Sequence, residues 1–529
     1  MTKWTSRTLL MLIVGAAGLL YFSNLNRGHE WGDDFAAYIS QARSLIKGNP
    51  SAQVAANRFI VENSSFSMGP VAYPWGFAVL LAPVYGIFGH HILALKSVVV
   101  VCFLIYLAVV WLGFRRRHSL PGITALVCLF AFNPLFLEFS NQILSDLPYL
   151  LFSTLSILLM GAVIVDRKIL VTPRWDRIFL GASISWTFFI RTHGLVVLVT
   201  LFLTQLALAA RRTGAITQPE EVRLESEARS ARHVSGDRWL PFLPYLAFLV
   251  LVSIWSLVLP EGGSSYFGYL GDMPWRSMLG NAVYYFMVPS EFFYSLAFPP
   301  EFYFAGGLKF IVYGATLPLA LNGIYRRRSK DLHALVYMAL TLGLLVVYPF
   351  TQGIRFIFPL LPFYFSFVIT GLEEMCRKGL HGSGSRGWLI LRRTICVLPL
   401  LMIFITFGKA SLGVLEMNQA QKGTLPYGPY TRTSREMFTW ITQKTELEST
   451  ILFFKPRAMR LMTGHRSLMI NNSEQLSRGE YLCYYLREDP VAQYVQIPAQ
   501  EIEALKTAHR LEPVWSNPDF ALYRIHNSQ

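Results

Sequence analysis

The sequence predicts a multi-span α-helical membrane protein with a small C-terminal α/β domain outside the cytoplasm, and three observations predict it. Of 529 residues, 53% are hydrophobic and only 15% charged, a balance that a soluble core cannot hide. Apolar runs long enough to cross a bilayer recur as far as residue 411. Beyond that point the chain turns polar and nearly neutral, and short apolar runs alternate with helical periodicity.

The first run, 9–22, follows Lys3 and Arg7 and is not closed by a small-x-small cleavage pattern. It reads as a retained helix with its N-terminus in the cytoplasm. Further runs at 92–114, 120–137, 148–165, 178–190, 194–210, 240–259, 306–325, 332–349, 354–372 and 394–411 bring the total to about 11 transmembrane helices. Every second loop is then basic: Arg115-Arg116-Arg117; Arg167-Lys168 with Arg174 and Arg177; the arginines from Arg211 to Arg238; Arg326-Arg327-Arg328 with Lys330; and Arg377 to Arg393. These loops face inward. The apolar stretch 73–88 opens on Pro74-Trp75, ends at Gly89 and lacks a basic flank. It reads as a juxtamembrane helix lying in the outer interface.

This gives a membrane module over 1–411, with 24–91 as its first outer loop and juxtamembrane helices, and a periplasmic α/β domain over 412–529. Strands are expected at 451–454, 481–485 and 521–525, and helices at 436–445 and 499–509. The net charge of +15 comes mainly from the inner loops, so it reports topology and makes no case for nucleic acid. Only Cys483 falls in the outer domain, which leaves no disulfide there. No CxxC, HExxH, glycine-rich phosphate loop or GxSxG pattern is present.

The outer ends of the spans hold the candidate chemistry. Asp33 and Asp34 stand side by side after the first helix, with Tyr38 four residues beyond Asp34. Adjacent carboxylates there are costly enough to mark a site, although either one also suits a helix N-cap. Asp146 lies in Ser145-Asp146-Leu147-Pro148, Arg191 and His193 separate two spans, and Arg355 opens another. Capping accounts for Asp146 alone, and anchoring at the interface accounts for Arg191 or Arg355 alone. Acids and cations gathered on one membrane face are what an enzyme handling a phosphorylated lipid requires.

In that order, Asp34 with Tyr38 and Ala42-Arg43, the Tyr73-Pro74-Trp75-Gly76 helix ending Phe88-Gly89, Ser145-Asp146-Leu147-Pro148, and Arg355-Phe356 with Pro359 and Pro362 resemble the GT-C class of integral-membrane glycosyltransferases. The likeness covers about residues 5–375, and more narrowly the sequence is similar to the branch that holds the lipid A aminoarabinose transferase and the dolichyl-phosphate-mannose protein mannosyltransferases of glycosyltransferase family 39. The resemblance implies a GT-C-like fold in the cell inner membrane and a polyprenyl-phosphate-linked sugar donor. It implies a lipid, glycan or protein acceptor reached from the periplasmic side, and membrane lipid as surroundings. Asp34 matches the first-loop acid by its spacing to Tyr38, with Asp33 as the fallback; Asp146 corresponds to the second acid, which orients substrate. Arg355 matches the phosphate-contacting arginine, assisted by Arg191 and His193, because a planar guanidinium holds phosphate bidentately. No cofactor is called for with certainty, and a divalent metal stays open because paired aspartates can hold one. Asp33-Asp34 or Asp34-Phe35 stands where the aminoarabinose branch has Asp-Glu, which leaves sugar and acceptor undetermined. The competing reading is a multi-span transporter or flippase of lipid-linked or envelope components; transporters favour broken helices at mid-depth and internal symmetry, which this sequence lacks.

Overall fold

The computed structural model describes residues 3–65, 69–165, 174–214, 239–262, 274–295, 307–378, 386–421, 423–487 and 496–526. The basic positions Arg167, Lys168, Arg223, Arg229, Arg232 and Arg238 lie outside the described residues. Within them the chain is mostly helical, with one five-stranded sheet near the C-terminus.

Among the described residues eight helices are long and apolar enough to cross a membrane: Thr5–Ser23, Ile92–Phe114, Asp146–Val165, Thr192–Arg211, Leu240–Val258, Leu308–Arg327, Ile354–Arg377 and Leu400–Ala420. The chain is a multi-pass membrane protein. The expected span at 120–137 is instead two helices, Leu120–Ala131 and Pro134–Ser140, bent by 47°. The break falls at Pro134, which cannot donate to the helical ladder, and Asn133 caps the second piece by accepting from the Leu135 N–H at 3.0 Å. The two remaining expected spans are helices of 17 and 16 residues, Arg174–Ile190 and Leu332–Val347.

Three shorter helices lie between the first two spans: α1 (Asp34–Ile46), α2 (Pro50–Asn63) and α3 (Trp75–Phe88). The last is the expected juxtamembrane helix. Gly76 lets it cross the helix Arg174–Ile190 directly, since a Cβ there would stand 2.6 Å from the Phe189 carbonyl. The crossing fixes α3 and the Tyr73 that precedes it.

The C-terminal unit has strand order β2-β1-β3-β5-β4, with β1 Thr450–Leu452, β2 Arg466–Leu468, β3 Tyr481–Tyr485, β4 Leu511–Ser516 and β5 Phe520–Ile525. β1 runs parallel to β2 and β3, and β5 antiparallel to β3 and β4. Strand alternation splits its core in two. Tyr481, Cys483 and Tyr485 meet Met437, Phe438 and Ile441 of α4 (Arg432–Lys444) and Met459 of α5 (Pro456–Thr463). Leu482 turns to the other face and meets Ile502 and Leu505 of α6 (Ala499–Thr507).

This unit sits on one end of the helix bundle, the domain face. Trp31, from the segment after the first span, inserts among Phe438, Phe453, Phe454 and Phe520 with ring centroids 5.2 to 6.4 Å away. Backbone bonds add to the seam: the Arg27 N–H donates to the Gly423 carbonyl at 2.6 Å and the Ser65 N–H to that of Met469 at 2.9 Å. Gly428, at φ +112°, would place a Cβ 2.0 Å from the His29 carbonyl, so only glycine fits there.

Candidate active site

The acid pair stands where α1 begins. Asp33 occupies the N-cap position yet makes no side-chain cap bond. Its carboxylate instead accepts the backbone N–H of Arg457, on α5 of the C-terminal unit, at 3.1 Å. Burial raises the Asp33 pKa above the ordinary carboxylate range, while Lys455 and Arg457 pull it down and Asp34 adds to the rise. Asp34, one residue on, is partly exposed and accepts the Tyr73 hydroxyl at 2.5 Å. Arg457 is 2% exposed. It donates to the Pro70 carbonyl at 2.7 Å and to the Tyr73 hydroxyl at 3.4 Å, and its guanidinium lies over the Tyr73 ring.

Tyr38 shares a helix face with Asp34, as a four-residue spacing requires. Its ring centroid is 4.8 Å from that of Tyr73 and its hydroxyl is 2.9 Å from Ser145 Oγ. Burial is the main cause of a Tyr38 pKa raised above that of an ordinary phenol, with Arg191 opposing it and Asp34 and Asp146 adding to it. Ser145 Oγ accepts from Arg191 Nε at 2.9 Å, and Arg191 Nη2 pairs with Asp146 Oδ2 at 2.8 Å. The Asp146 side chain is fully buried in this pair. Asp146 therefore holds Arg191 in place through Oδ2, while its Oδ1 is buried without a hydrogen-bond partner.

Phe356 joins these groups to an apolar groove in the bundle. Arg191 and Arg355 both stack over its ring, at 5.9 and 5.6 Å. The ring centroids of His193 and Tyr348 lie 5.7 and 6.3 Å from it. His193 and Tyr348 in turn close one end of an apolar groove of about 430 Å³ between the helices Leu195–Gly214 and Leu332–Val347, floored by Val196, Val199, Leu340 and Leu344. Arg355 is partly exposed and donates to the Gln352 side-chain carbonyl. Its charge, unlike that of Arg191, is not matched by a carboxylate among the described residues.

The structure thus brings together all seven residues singled out in the sequence: Asp33, Asp34, Tyr38, Asp146, Arg191, His193 and Arg355. It adds Arg457, Tyr73 and Ser145. Ser145 and Tyr73 stood inside recognised motifs, but nothing local marked them as partners of Tyr38 and Asp34. Arg457 lies 424 positions from Asp33, and its one sequence signal is a helix start at Pro456, with proline at the first helical position. Among the described residues no group of three or more His, Cys, Asp or Glu side chains converges in a way that would hold a metal ion.

No protein-family model matches the sequence, and no curated protein is similar to it. Solved structures are similar over nearly the whole chain. ArnT from Cupriavidus metallidurans, in the apo state, is 12% identical with a TM-score of 0.57, covering 98% of each chain. The same protein bound to undecaprenyl phosphate is 11% identical with a TM-score of 0.56, covering 97% of each. The oligosaccharyltransferase AglB from Archaeoglobus fulgidus, in complex with an inhibitory peptide and a dolichol-phosphate, is 10% identical with a TM-score of 0.52; the match covers 91% of this chain and 70% of that one. ArnT and AglB are both GT-C fold enzymes, and the chain described here has the GT-C fold.

Proposed function

We propose that this protein is a membrane glycosyltransferase that moves a hexosyl or pentosyl group from a polyprenyl-phosphate donor to a lipid, glycan or protein acceptor. The observation that carries the reading is a chain of contacts: an apolar groove lined by His193 and Tyr348, their contacts to Phe356, the two arginines over that ring, and Asp34 held by Tyr73. The prenyl chain lies in the groove, with its phosphate against Arg355, whose charge no carboxylate satisfies among the described residues. Arg191, neutralised by Asp146, positions rather than binds.

In the transfer step the acceptor oxygen attacks the anomeric carbon. Asp34 takes the proton from the acceptor O–H, the bond from the anomeric carbon to the phosphate oxygen breaks, and the lipid phosphate leaves with the electron pair, stabilised by Arg355. Tyr73 orients the Asp34 carboxylate, and Asp33 ties the site to the C-terminal unit. ArnT and AglB structures with undecaprenyl phosphate and dolichol-phosphate support this class of donor. The domain face is periplasmic and the membrane is the cell inner membrane, with 1–411 as the catalytic module and 412–529 as the outer domain shaping acceptor access.

Mass spectrometry of surface glycans and envelope lipids from a strain lacking the protein tests the proposal. Loss of one sugar modification, restored by the wild-type gene and not by Asp34→Asn, is the expected result. An unchanged glycan and lipid profile would count against it.

A further inference from the structure

A polar cavity of about 200 Å³ lies on the domain face between the end of α1, the start of α2 and α5. That is several times the roughly 30 Å³ a water molecule occupies in the liquid. Arg43, Lys47 and Arg460 line it with Ser44, Asn49, Ala52 and Gln53, and no acidic residue does. Among the described residues none of the three cations has an ion-pair partner, and Arg460 Nε is buried without a hydrogen bond. The chain has gathered like charges from two distant segments and left them unmatched, at a cost in repulsion that a bound anion would remove.

The surrounding backbone points the same way. α2 opens into the cavity at its N-terminus, where Asn49 is the N-cap and makes no side-chain cap bond. Free amides and the positive end of a helix dipole favour a phosphate at such a place. The carbonyls that end α1 do not compete, because those of Arg43, Ser44 and Leu45 already accept from Lys47, Asn49 and Gly48. Burial, with repulsion from Arg43 and Arg466, lowers the Arg460 pKa. Beside the cavity, Ile46 reaches toward Gly86 of α3, and Ile46, Ile87 and Phe88 stay 51%, 76% and 58% exposed. An apolar rim next to a cationic hole is complementary to a phosphate head carried on acyl chains.

We propose that this cavity is a phosphate-binding site whose ligand is the phosphate group of an anionic amphiphile. It shares no lining residue with the apolar groove, and Arg43 lies about 14 Å along α1 from Asp34 at 1.5 Å per residue. The inference does not rest on transfer activity.

The test uses the full-length protein in phosphatidylcholine nanodiscs doped with phosphatidic acid, with retained lipid counted by native mass spectrometry and sodium phosphate titrated separately by calorimetry. Wild-type protein should retain phosphatidic acid over phosphatidylcholine, and Lys47→Gln/Arg460→Gln should lower that retention about tenfold or more. The charge-matched control Arg432→Gln/Arg435→Gln, on α4, should leave it unchanged. Phosphatidic acid retention without calorimetric binding of free phosphate assigns a lipid headgroup; binding of both, each lost in the variant, assigns phosphate from either source. If the double variant does not fold, Lys47→Gln alone changes an exposed residue and should weaken retention about fivefold. Retention equal in wild type and variant, or lost equally in the control, overturns the proposal.

Discussion

The backbone N–H of Arg457 donates to the carboxylate of Asp33 at 3.1 Å, across 424 positions of sequence. A helix of the C-terminal unit thus sets the position of a residue at the mouth of the membrane module. The Arg457 side chain extends the link through Pro70 and Tyr73 to Asp34. Arg457→Ala leaves the Pro70 carbonyl without its charged donor and should destabilise the detergent-solubilised protein by about 1–3 kcal/mol. Transfer should fall more than the loss of stability explains, and Arg457→Lys, lacking the planar fork, should recover only part of it. Thermal unfolding beside a transfer assay separates the two effects.

Tyr73→Phe removes one hydroxyl and keeps the ring that packs on Tyr38. The Asp34 carboxylate then loses the donor that orients it. We expect kcat to fall about tenfold with donor KM unchanged, because a small misplacement of a catalytic group is costly while the lipid is held elsewhere. A rise in donor KM with kcat intact would assign Tyr73 to lipid binding instead.

Arg191 and Asp146 form a buried pair, and buried pairs respond asymmetrically to mutation. Arg191→Gln strands the carboxylate of Asp146 and should cost about 3–5 kcal/mol, whereas Arg191→Gln/Asp146→Asn should restore much of that stability. The double variant should still transfer poorly, since Ser145 and Tyr38 lose the guanidinium that orders them. A double variant that is both stable and fully active would make the pair dispensable.

How much of this was legible in the sequence follows from the range of each interaction. Spans could be read because hydropathy is local, and so could the juxtamembrane helix. The bend at Pro134 was legible only as a proline, since apolar residues continue across it. β2 is three residues long and β4 contains Pro513; proline demotes a strand in any local reading, yet β4 is an edge strand, where proline is tolerated. Asp34, Tyr38 and Arg355 were marked by spacing and motif. Arg457 was not, because its meaning comes from a contact between residues at opposite ends of the chain.

His29 gives a pH prediction. Its Nε2 accepts the Ile143 N–H at 3.0 Å while Nδ1 lies 2.9 Å from the Glu30 carbonyl. The partners therefore fix a neutral imidazole with the proton on Nδ1. Burial first, then Lys96, lower its pKa from 6.5 to about 3. A base with a depressed folded pKa stabilises the fold above pH 6.5 and loses that contribution as the pH falls toward 3, at no more than about 1.4 kcal/mol per pH unit. Melting temperature should decline over that window, and His29→Gln should flatten the decline. An identical slope in both proteins would place the titration elsewhere.

The central claim is that Asp34 is the base and Asp33 a structural tie, and single-turnover transfer from a polyprenyl-phosphate sugar in detergent tests it most directly. Asp34→Asn keeps the shape and the Tyr73 contact but cannot accept a proton, so the rate should drop by about two to four orders of magnitude with donor binding retained. Asp33→Asn keeps an oxygen for the Arg457 N–H and should be milder. Arg355→Ala should weaken donor binding and rate together, with Arg355→Lys recovering part of the rate. Full activity in Asp34→Asn with loss in Asp33→Asn would move the base by one residue, and full activity in both would contradict the mechanism.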